Sequence, residues 1–429
     1  MSDAPRRGSL LVIFLTVFID LLGFGMVLPL LPVYAKLLPA MREMTVERQE
    51  LTIGLLMSSF SAMQFLFAPF WGRLSDRIGR RPVLMVGLAG SVAFYTLFGL
   101  AAQWASLWGL FVARIGAGLA GATISTTQAY IADSTTLEGR SRGMALIGAA
   151  FGLGFTFGPA LGALSLWLSG EEALTPWPGY LAAGLSLAAL LLAIFRLPES
   201  LPPGGAKSQH RLLDWKALSD AVATPSVALL ILASFVSIYA FANFESTLSR
   251  LLLHKADVAR QVQDGRAHQL PAQLLLVFCY IGLVLCFAQG FLVRRLAGKF
   301  SDERLVTLGA IGAVVGFALL ALASYSVSIP SLLGALTVAT IGFAMVSAPL
   351  NALISRRSDP ARQGGILGLN QSAGALARIV GPVTGFALLG WGHHLAWGHT
   401  LPYWAATVLM CLGTVLIALA VRGGKDYGK

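Results

Sequence analysis

The chain has 429 residues, of which 56% are hydrophobic and only 12% are charged. Soluble domains carry about 25% charged residues, so this composition excludes an ordinary soluble protein and indicates a lipid bilayer. The formal net charge is +11, but the distribution of the basic residues, described below, follows membrane topology and argues against a nucleic-acid partner.

Apolar runs of about 20 residues, long enough to cross a bilayer, recur along the whole chain. The first run has the charged flank of a signal peptide, but it is too long and lacks a small-residue cleavage site, so it is kept as a span. We therefore predict an all-α membrane protein with spans at 9–35, 51–72, 82–103, 105–132, 143–168, 178–196, 225–251, 272–293, 304–325, 330–355, 363–390 and 400–421.

The basic residues lie mainly on one side of these spans. Most of the 31 lysines and arginines fall at the termini, in the linker or in loops that we place in the cytoplasm. The loops of the other side hold only Lys36, Arg42, Arg48, Lys255, Arg260 and Arg266. This asymmetry is the positive-inside pattern and predicts that both termini are cytoplasmic.

The spans form two halves with related sequences. A polar stretch rich in Pro and Gly at its start, residues 197–224, predicts a linker between an N-terminal bundle of six helices, 1–196, and a C-terminal one, 225–429. The pattern V-A-x-I-G occurs at 112–116 and 338–342, and G-P-x-x-G at 158–162 and 381–385. Parallel repeats of this kind place a substrate site near mid-membrane and indicate a transporter with alternating access.

Three stretches carry a resemblance to a known family. "GRLSDRIGRRP" after span two, "ARIGAG" in span four and "GLGFTFGPALGA" in span five resemble signatures of the major facilitator superfamily, in its drug/proton antiporter branch and especially the tetracycline/proton antiporters. The resemblance implies two pseudo-repeat bundles of six helices, exchange of protons for a small amphiphilic molecule, no cofactor and a monomer. Compact loops favour a bacterial cytoplasmic (inner) membrane.

The charged loop after span two is predicted to be a conformational latch. Gly72, Gly79 and Pro82 suit a sharp turn, and the arginines alone would serve as topology anchors. The resemblance implies more, namely that Asp76 faces the start of span eleven near Arg362 and that Arg77 pairs with Asp133. The predicted latch comprises Gly72, Asp76, Arg77, Gly79, Arg80, Asp133 and Arg362. Because the second half lacks the same spacing, we expect a strong latch in the first half only.

Ionisable residues inside the spans are the candidates for coupling, since each costs roughly 2.5–3.5 kcal/mol at a helix centre. Asp20 in span one and Arg114 in span four both approach mid-membrane and could pair. An acid that leaves such a pair during the cycle can carry a proton, whereas a permanent pair would be structural. Both residues match positions that the resemblance ties to proton coupling.

Polar residues on helix faces are the candidates for the substrate site. One face of span four carries Arg114, Gly118, Gly121, Ser125 and Gln128, and its image in span ten carries Thr340, Ala344, Ser347 and Asn351. Small residues of this kind suit either a cavity or close helix packing. The predicted substrate-binding set is Gln128, Tyr239, Asn243, Glu245, Asn351, Asn370, Gln371 and Arg378. Glu245 could instead be a rim residue, and Arg378 favours an anionic substrate.

Span five carries a glycine and proline stripe, Gly154, Gly158, Pro159 and Gly162. Its residues suit tight packing around a kink, and the resemblance associates them with antiport and with sealing against proton leak.

Other signals are discounted. His393, His394 and His399 are interpreted as solvated loop residues, so no metal site is predicted, and the three cysteines lie inside spans as packing residues. The chain has no phosphate-binding loop or nucleophile elbow, which argues against an enzyme or a primary pump. The alternatives to a drug exporter are an organic-anion or metallophore transporter on the same fold and, more distantly, a transport-inactive receptor.

Overall fold

The computed structural model describes residues 7–135, 140–168, 174–200, 225–255, 269–297, 299–325, 328–358 and 363–423. Within these ranges the chain is helical and contains no strand. The helices, numbered in chain order, are α1 (Arg7–Val27), α2 (Leu31–Leu37), α3 (Pro39–Arg42), α4 (Val46–Ile78), α5 (Arg80–Gln103), α6 (Leu107–Gly121), α7 (Ile124–Asp133), α8 (Arg140–Leu168), α9 (Trp177–Arg196), α10 (Pro225–Lys255), α11 (Gln269–Phe287), α12 (Arg294–Ala297), α13 (Asp302–Ala323), α14 (Ile329–Arg357), α15 (Gln363–Gly392) and α16 (Leu401–Gly423).

The helices are long and apolar enough to form twelve candidate membrane spans in the part of the chain that the structure describes. Between 28% and 56% of the most apolar window of each span is buried inside the protein. Many large apolar side chains, such as Trp108 and Phe195, therefore point outward. Such a surface suits contact with lipid and would be unfavourable in water.

Local sequence sets where the helices begin and end. Ser106 and Ser301 cap α6 and α13 by accepting hydrogen bonds from the backbone N–H groups of Gly109 and Arg304. The turn between α4 and α5 consists of Gly79 alone, whose φ of 106° is strained for any other residue. The charged stretch 72–78 is thus the last part of α4, and the predicted ten-residue loop is wrong. Gly72 lies inside the helix, near Ser125.

The predicted fourth span is not one continuous helix. It is divided into α6 and α7 at Ala122 and Thr123, where the backbone leaves helical geometry. The two pieces point side chains in directions that a single 3.6-residue period does not predict.

The chain divides into two compact units. The first comprises 1–44, 59–210 and 256–282, and the second comprises 45–58, 211–255 and 283–429. Helix α4 thus contributes its first part to the second unit and the remainder to the first. The sequence division into bundles 1–196 and 225–429 stays a prediction, and most of its linker lies outside the described residues.

Candidate functional site

The second unit contains a small cavity that opens to solvent. Its polar lining comes from α10, α14 and α15, and three of the predicted substrate-binding residues are among the ten that line it. The lining residues are Ser234, Ser237, Ile238, Phe343, Val346, Ser347, Leu350, Asn351, Asn370 and Gln371. Such a mixture of apolar walls and a few convergent polar groups is typical of small-molecule sites.

The asparagines of this cavity form a short hydrogen-bonded chain. Asn370 Nδ2 donates to Asn351 Oδ1 at 2.8 Å, and Asn351 Nδ2 donates to the main-chain oxygen of Ser347 at 2.9 Å. Asn370 Oδ1 is buried without a hydrogen-bond partner, so it is available as an acceptor. The serines Ser234 and Ser237 were missed in the sequence, although their three-residue spacing on one face of α10 signals them.

Arg378 and Glu245 lie near this region of the second unit. The Arg378 side chain is exposed, and its Nη1 lies 3.6 Å from where a Cβ on Gly374, one turn earlier on α15, would be. Glu245 is half-buried and interacts electrostatically with Arg378. The two side chains are too far apart for an ion pair, and neither takes part in an ion pair with another described residue.

Three other predicted substrate residues lie away from the cavity lining. Asn243 is buried, and its Oδ1 lies 3.2 Å from where a Cβ on Gly385 would be, so it packs against α15. Tyr239 is half-buried with its ring 6.0 Å from that of Phe235. Gln128 is half-buried on α7 in the first unit.

Asp20 does not pair with Arg114, so the predicted ion pair is wrong. Asp20 is half-buried on α1, and its Oδ1 accepts a hydrogen bond from Ser186 Oγ on α9 at 2.9 Å. Tyr95 on α5 is close enough to interact electrostatically with both Asp20 and Arg114. Asp20 thus contacts a neutral hydroxyl, and among the described residues no cation lies within ion-pair distance of it.

Arg114 lies in an aromatic environment. Its side chain is 2% exposed, and its guanidinium carbon lies 4.6 Å from the Phe60 ring centroid and 5.9 Å from that of Phe24. Both distances fall within the range of cation–π attraction. Its Nε and Nη1 atoms have no hydrogen-bond partner. Aromatic rings therefore stabilise the positive charge of Arg114, but they leave two of its hydrogen-bond donors unused.

The small residues that follow Arg114 pack against α4. A Cβ on Gly118 would lie 2.8 Å from the Phe60 Cα, and Ser125 Oγ donates to the main-chain oxygen of Ala68 at 3.0 Å. On this helix face the small residues therefore allow close helix packing. In the repeat image on α14, by contrast, Ser347 and Asn351 do line the cavity.

The ion cluster at the Gly79 turn is centred on Arg80. Its Nε donates to Asp133 Oδ2 at 3.1 Å, its Nη1 donates to Ser75 Oγ at 2.6 Å, and it also pairs with Asp76. Arg77 is exposed and has no polar partner among the described residues. The predicted pair of Arg77 with Asp133 is therefore wrong, because α4 continues to Ile78 and turns Arg77 outward.

Two further points concern this cluster. Arg362 lies outside the described residues, so its predicted place near Asp76 stays a prediction. Glu199, which sequence reasoning missed, accepts hydrogen bonds from the backbone N–H groups of Arg80 and Arg81 at 2.9 and 3.1 Å. It caps the start of α5, where a carboxylate is favoured by the helix dipole.

The second half also carries ion pairs at the matching place, while the expectation of a strong latch in the first half only stays a prediction. Asp302 and Glu303 begin α13 and pair with Arg356 and Arg357 at the end of α14, at 2.8 and 3.1 Å. In the first half the arrangement is the opposite, since Arg80 begins α5 and Asp133 ends α7. The signs are thus reversed between the repeats, which a search for the same motif overlooks.

The stripe of span five packs against α1. A Cβ on Gly158 would lie 2.7 Å from the Leu22 oxygen and 3.0 Å from the Gly25 Cα, and one on Gly154 would lie 2.8 Å from the Leu21 Cβ. Gly162 meets the side chains of Met26 and Leu275, while Pro159 lies inside α8 between these glycines. The stripe therefore permits close backbone contact between α1 and α8.

Comparison with known proteins gives consistent matches. The family model of the Major Facilitator Superfamily matches residues 13–382. Major facilitator superfamily domain-containing protein 10 of Mus musculus is 30% identical over 422 residues, covering 89% of this chain and 87% of that protein. The class C tetracycline resistance protein of Escherichia coli is 30% identical over 410 residues, covering 95% and 96%.

A solved structure agrees with these matches. The crystal structure of the human organic anion transporter MFSD10 (TETRAN) has a TM-score of 0.69 and 27% identity, covering 97% of this chain and 100% of that one. The all-α membrane fold expected from the resemblance is thereby confirmed.

Proposed function

Because the chain belongs to the major facilitator superfamily, and is thus an integral multi-pass membrane transporter of small molecules, we propose that it is a proton-coupled antiporter. It exports amphiphilic organic compounds by alternating access, acts as a monomer, and resides in a bacterial inner membrane with both termini in the cytoplasm. Relatives named as tetracycline resistance proteins support export of drug-like compounds.

The observation that carries proton coupling is the environment of Asp20. Its carboxyl group meets the Ser186 hydroxyl at 2.9 Å in place of a cation. A hydroxyl serves both protonation states, because it donates to a carboxylate and accepts from a carboxylic acid. An ion pair with Arg114 would have fixed the charged state, since separating a buried pair costs about 3–5 kcal/mol. Asp20 is therefore the proposed proton carrier.

Arg114 would couple the proton to the rest of the cycle. Its guanidinium rests on Phe24 and Phe60, which lie on α1 and α4. Phe24 lies one helical turn after Asp20 on α1. A movement of α1 that follows protonation of Asp20 would therefore alter the contact of Arg114 with this ring.

A second candidate function, transport of organic anions, is favoured by two intramembrane arginines that have no ion-pair partner among the described residues. Arg378 is exposed beside the cavity of the second unit, and Arg114 has two unpartnered nitrogen atoms. A planar guanidinium binds carboxylate or enolate groups through two parallel hydrogen bonds. A relative named as an organic anion transporter supports this class of substrate, and metallophores that present carboxylates belong to it as well.

The test of proton coupling is substrate-evoked proton movement in proteoliposomes under an imposed pH gradient. The wild type is compared with Asp20→Asn and with Glu43→Gln, the same loss of one carboxylate at an exposed residue outside the predicted spans and the proposed substrate site. We expect Asp20→Asn to abolish proton movement while Glu43→Gln retains it. Transport by the wild type without proton movement, or unchanged coupling in Asp20→Asn, would refute antiport through Asp20.

The test of the substrate class uses the same vesicles with a panel of anionic, zwitterionic and cationic compounds. If the substrate is an anion, Arg378→Ala abolishes binding of anions and spares cations, and Arg378→Lys restores only part of it because an ammonium group lacks the planar fork. Equal transport of anions by the wild type and Arg378→Ala would exclude this role for Arg378.

A further inference from the structure

A cluster of one carboxylate and two imidazoles lies in the second unit, at the end that we expect to face outward. Glu47 begins α4, and His393 and His394 directly follow α15. Glu47 Oε1 lies 3.3 Å from His393 Nδ1 and 3.6 Å from His394 Nε2, and all three ligand atoms lie within 4.8 Å of one another. The sequence interpretation of these histidines as solvated loop residues is incomplete, because it lacks their contact with Glu47.

Backbone packing brings the two helix ends together. A Cβ on Gly390 would lie 3.0 Å from the Glu47 Cα, so a larger residue here would push the two helices apart by a few tenths of an ångström. Further along the same helix pair, Gly54 lies against Pro382 and Val383, and Ser58 Oγ donates to the Ile379 oxygen at 2.6 Å. The cluster is thus held by a long helix contact and does not depend on the chance meeting of flexible side chains.

The distances from Glu47 to the two histidines are close to those between the ligands of a zinc site. Zinc binds imidazole nitrogen at about 2.0–2.1 Å and carboxylate oxygen at about 2.0–2.2 Å. In a tetrahedron with such bonds, neighbouring ligand atoms lie about 3.4 Å apart, close to the 3.3 and 3.6 Å found here. Two histidines, one carboxylate and a water molecule form a ligand set that binds zinc in enzymes.

The cluster is also accessible to an ion from solution. The His394 side chain is 74% exposed, that of Glu47 43% and that of His393 25%. Water can therefore reach the three ligand atoms and would complete the coordination of a bound ion. His393 Nδ1 lies 2.6 Å from the Gly390 oxygen. A metal ion at this nitrogen would therefore require the imidazole to rotate away from that carbonyl, to give up this hydrogen bond and to release any proton on Nδ1 to solvent.

We propose that Glu47, His393 and His394 form a binding site for a first-row divalent metal ion of the zinc class, which joins the start of α4 to the end of α15. Imidazole and carboxylate ligands select Zn²⁺ and its neighbours over the harder Mg²⁺ and Ca²⁺. A bound ion would stabilise the contact between these two helices. This inference is independent of the substrate and of proton coupling.

The test is calorimetric titration of the purified full-length protein with Zn²⁺, using an affinity tag without histidine. We expect one site in the wild type, and a loss of more than about tenfold in affinity in each of Glu47→Ala, His393→Ala and His394→Ala, since even changes outside the ligand shell cost 10–100-fold at zinc sites. The matched controls are Glu43→Ala, an exposed glutamate four residues earlier in the chain, and His399→Ala, a histidine outside the cluster. Both are expected to keep wild-type affinity.

Two results would overturn the proposal. One is the absence of saturable Zn²⁺ binding in the wild type, and the other is equal affinity in the wild type and the three ligand variants. If Glu47→Ala alone binds like the wild type, the ion does not join the two helices and the proposed bridge is also wrong. His394 is the most exposed of the three, so its variant tests the site even if another variant folds poorly.

Discussion

Replacing Arg80 should destabilise the protein far more than replacing Arg77, three residues earlier in the same charged stretch. The Arg80 side chain is 9% exposed and binds two carboxylates and a hydroxyl, whereas Arg77 is exposed without a polar partner among the described residues. The two arginines thus form a matched pair with the same chemistry and different surroundings.

The magnitude follows from what Arg80→Gln leaves behind. Removing one partner from a buried ion pair costs about 3–5 kcal/mol. Asp133 and Asp76 are 24% and 22% exposed, so water stabilises them in part and the lower value, about 3 kcal/mol, applies. Since 1.4 kcal/mol corresponds to a factor of ten, this is a change of roughly 150-fold in the unfolding equilibrium. Arg77→Gln should cost less than about 1 kcal/mol, as for other exposed charges.

The assay is reversible unfolding of both variants in mixed detergent micelles, followed by circular dichroism. The same variants in proteoliposomes show whether the cluster also sets turnover, as its proposed role as a latch requires. Equal losses of stability in the two variants would refute the assignment of Arg80 as the centre of the cluster. A larger loss of stability in Arg77→Gln than in Arg80→Gln would support the pairing of Arg77 with Asp133 that was expected from the sequence.

The remaining predictions concern packing and the reversed cluster of the second half. Gly158→Ala should cost about 1–3 kcal/mol or more of stability, because its Cβ would meet the backbone of α1. Gly184→Ala, with nothing within 4 Å, should be neutral or should stabilise α9 by up to about 1 kcal/mol. Unfolding experiments that rank the two variants in the opposite order would contradict close packing of α1 and α8. Arg357→Met should cost about 3 kcal/mol, since this side chain is 0% exposed and pairs with Glu303, while Arg356→Met, 49% exposed, should cost under about 1 kcal/mol. The same unfolding titration checks this pair, and similar values for both would mean that burial does not decide the strength of these ion pairs.

Much of the architecture, from the first predicted span at residue 9 to the end of the last at 421, could be predicted from the sequence alone. Length and apolar composition suffice to locate spans, because a bilayer imposes about 20 apolar residues on each helix whatever its neighbours. Helical periodicity and the internal repeat were also enough to select Ser347 and Asn351, which do line the cavity.

The sequence did not predict which side chains of different helices contact one another. Spacing fixes which residues share a face of one helix, but the face of another helix that meets them depends on where each helix ends, breaks and rotates. The continuation of α4 to Ile78 exchanged Arg77 for Arg80 as the partner of Asp133, and the tertiary packing placed Asp20 against Ser186.

The sequence by itself therefore determined the membrane class, the spans and the internal repeat of this transporter, because these depend on composition and on period along the chain. Only the tertiary structure decided which charges are paired, which small residues pack, and that Glu47 meets His393 and His394. The reason is physical: a contact between helices is set by close approach of backbones, as at Gly158 and Gly390, and that approach depends on residues far apart in the chain.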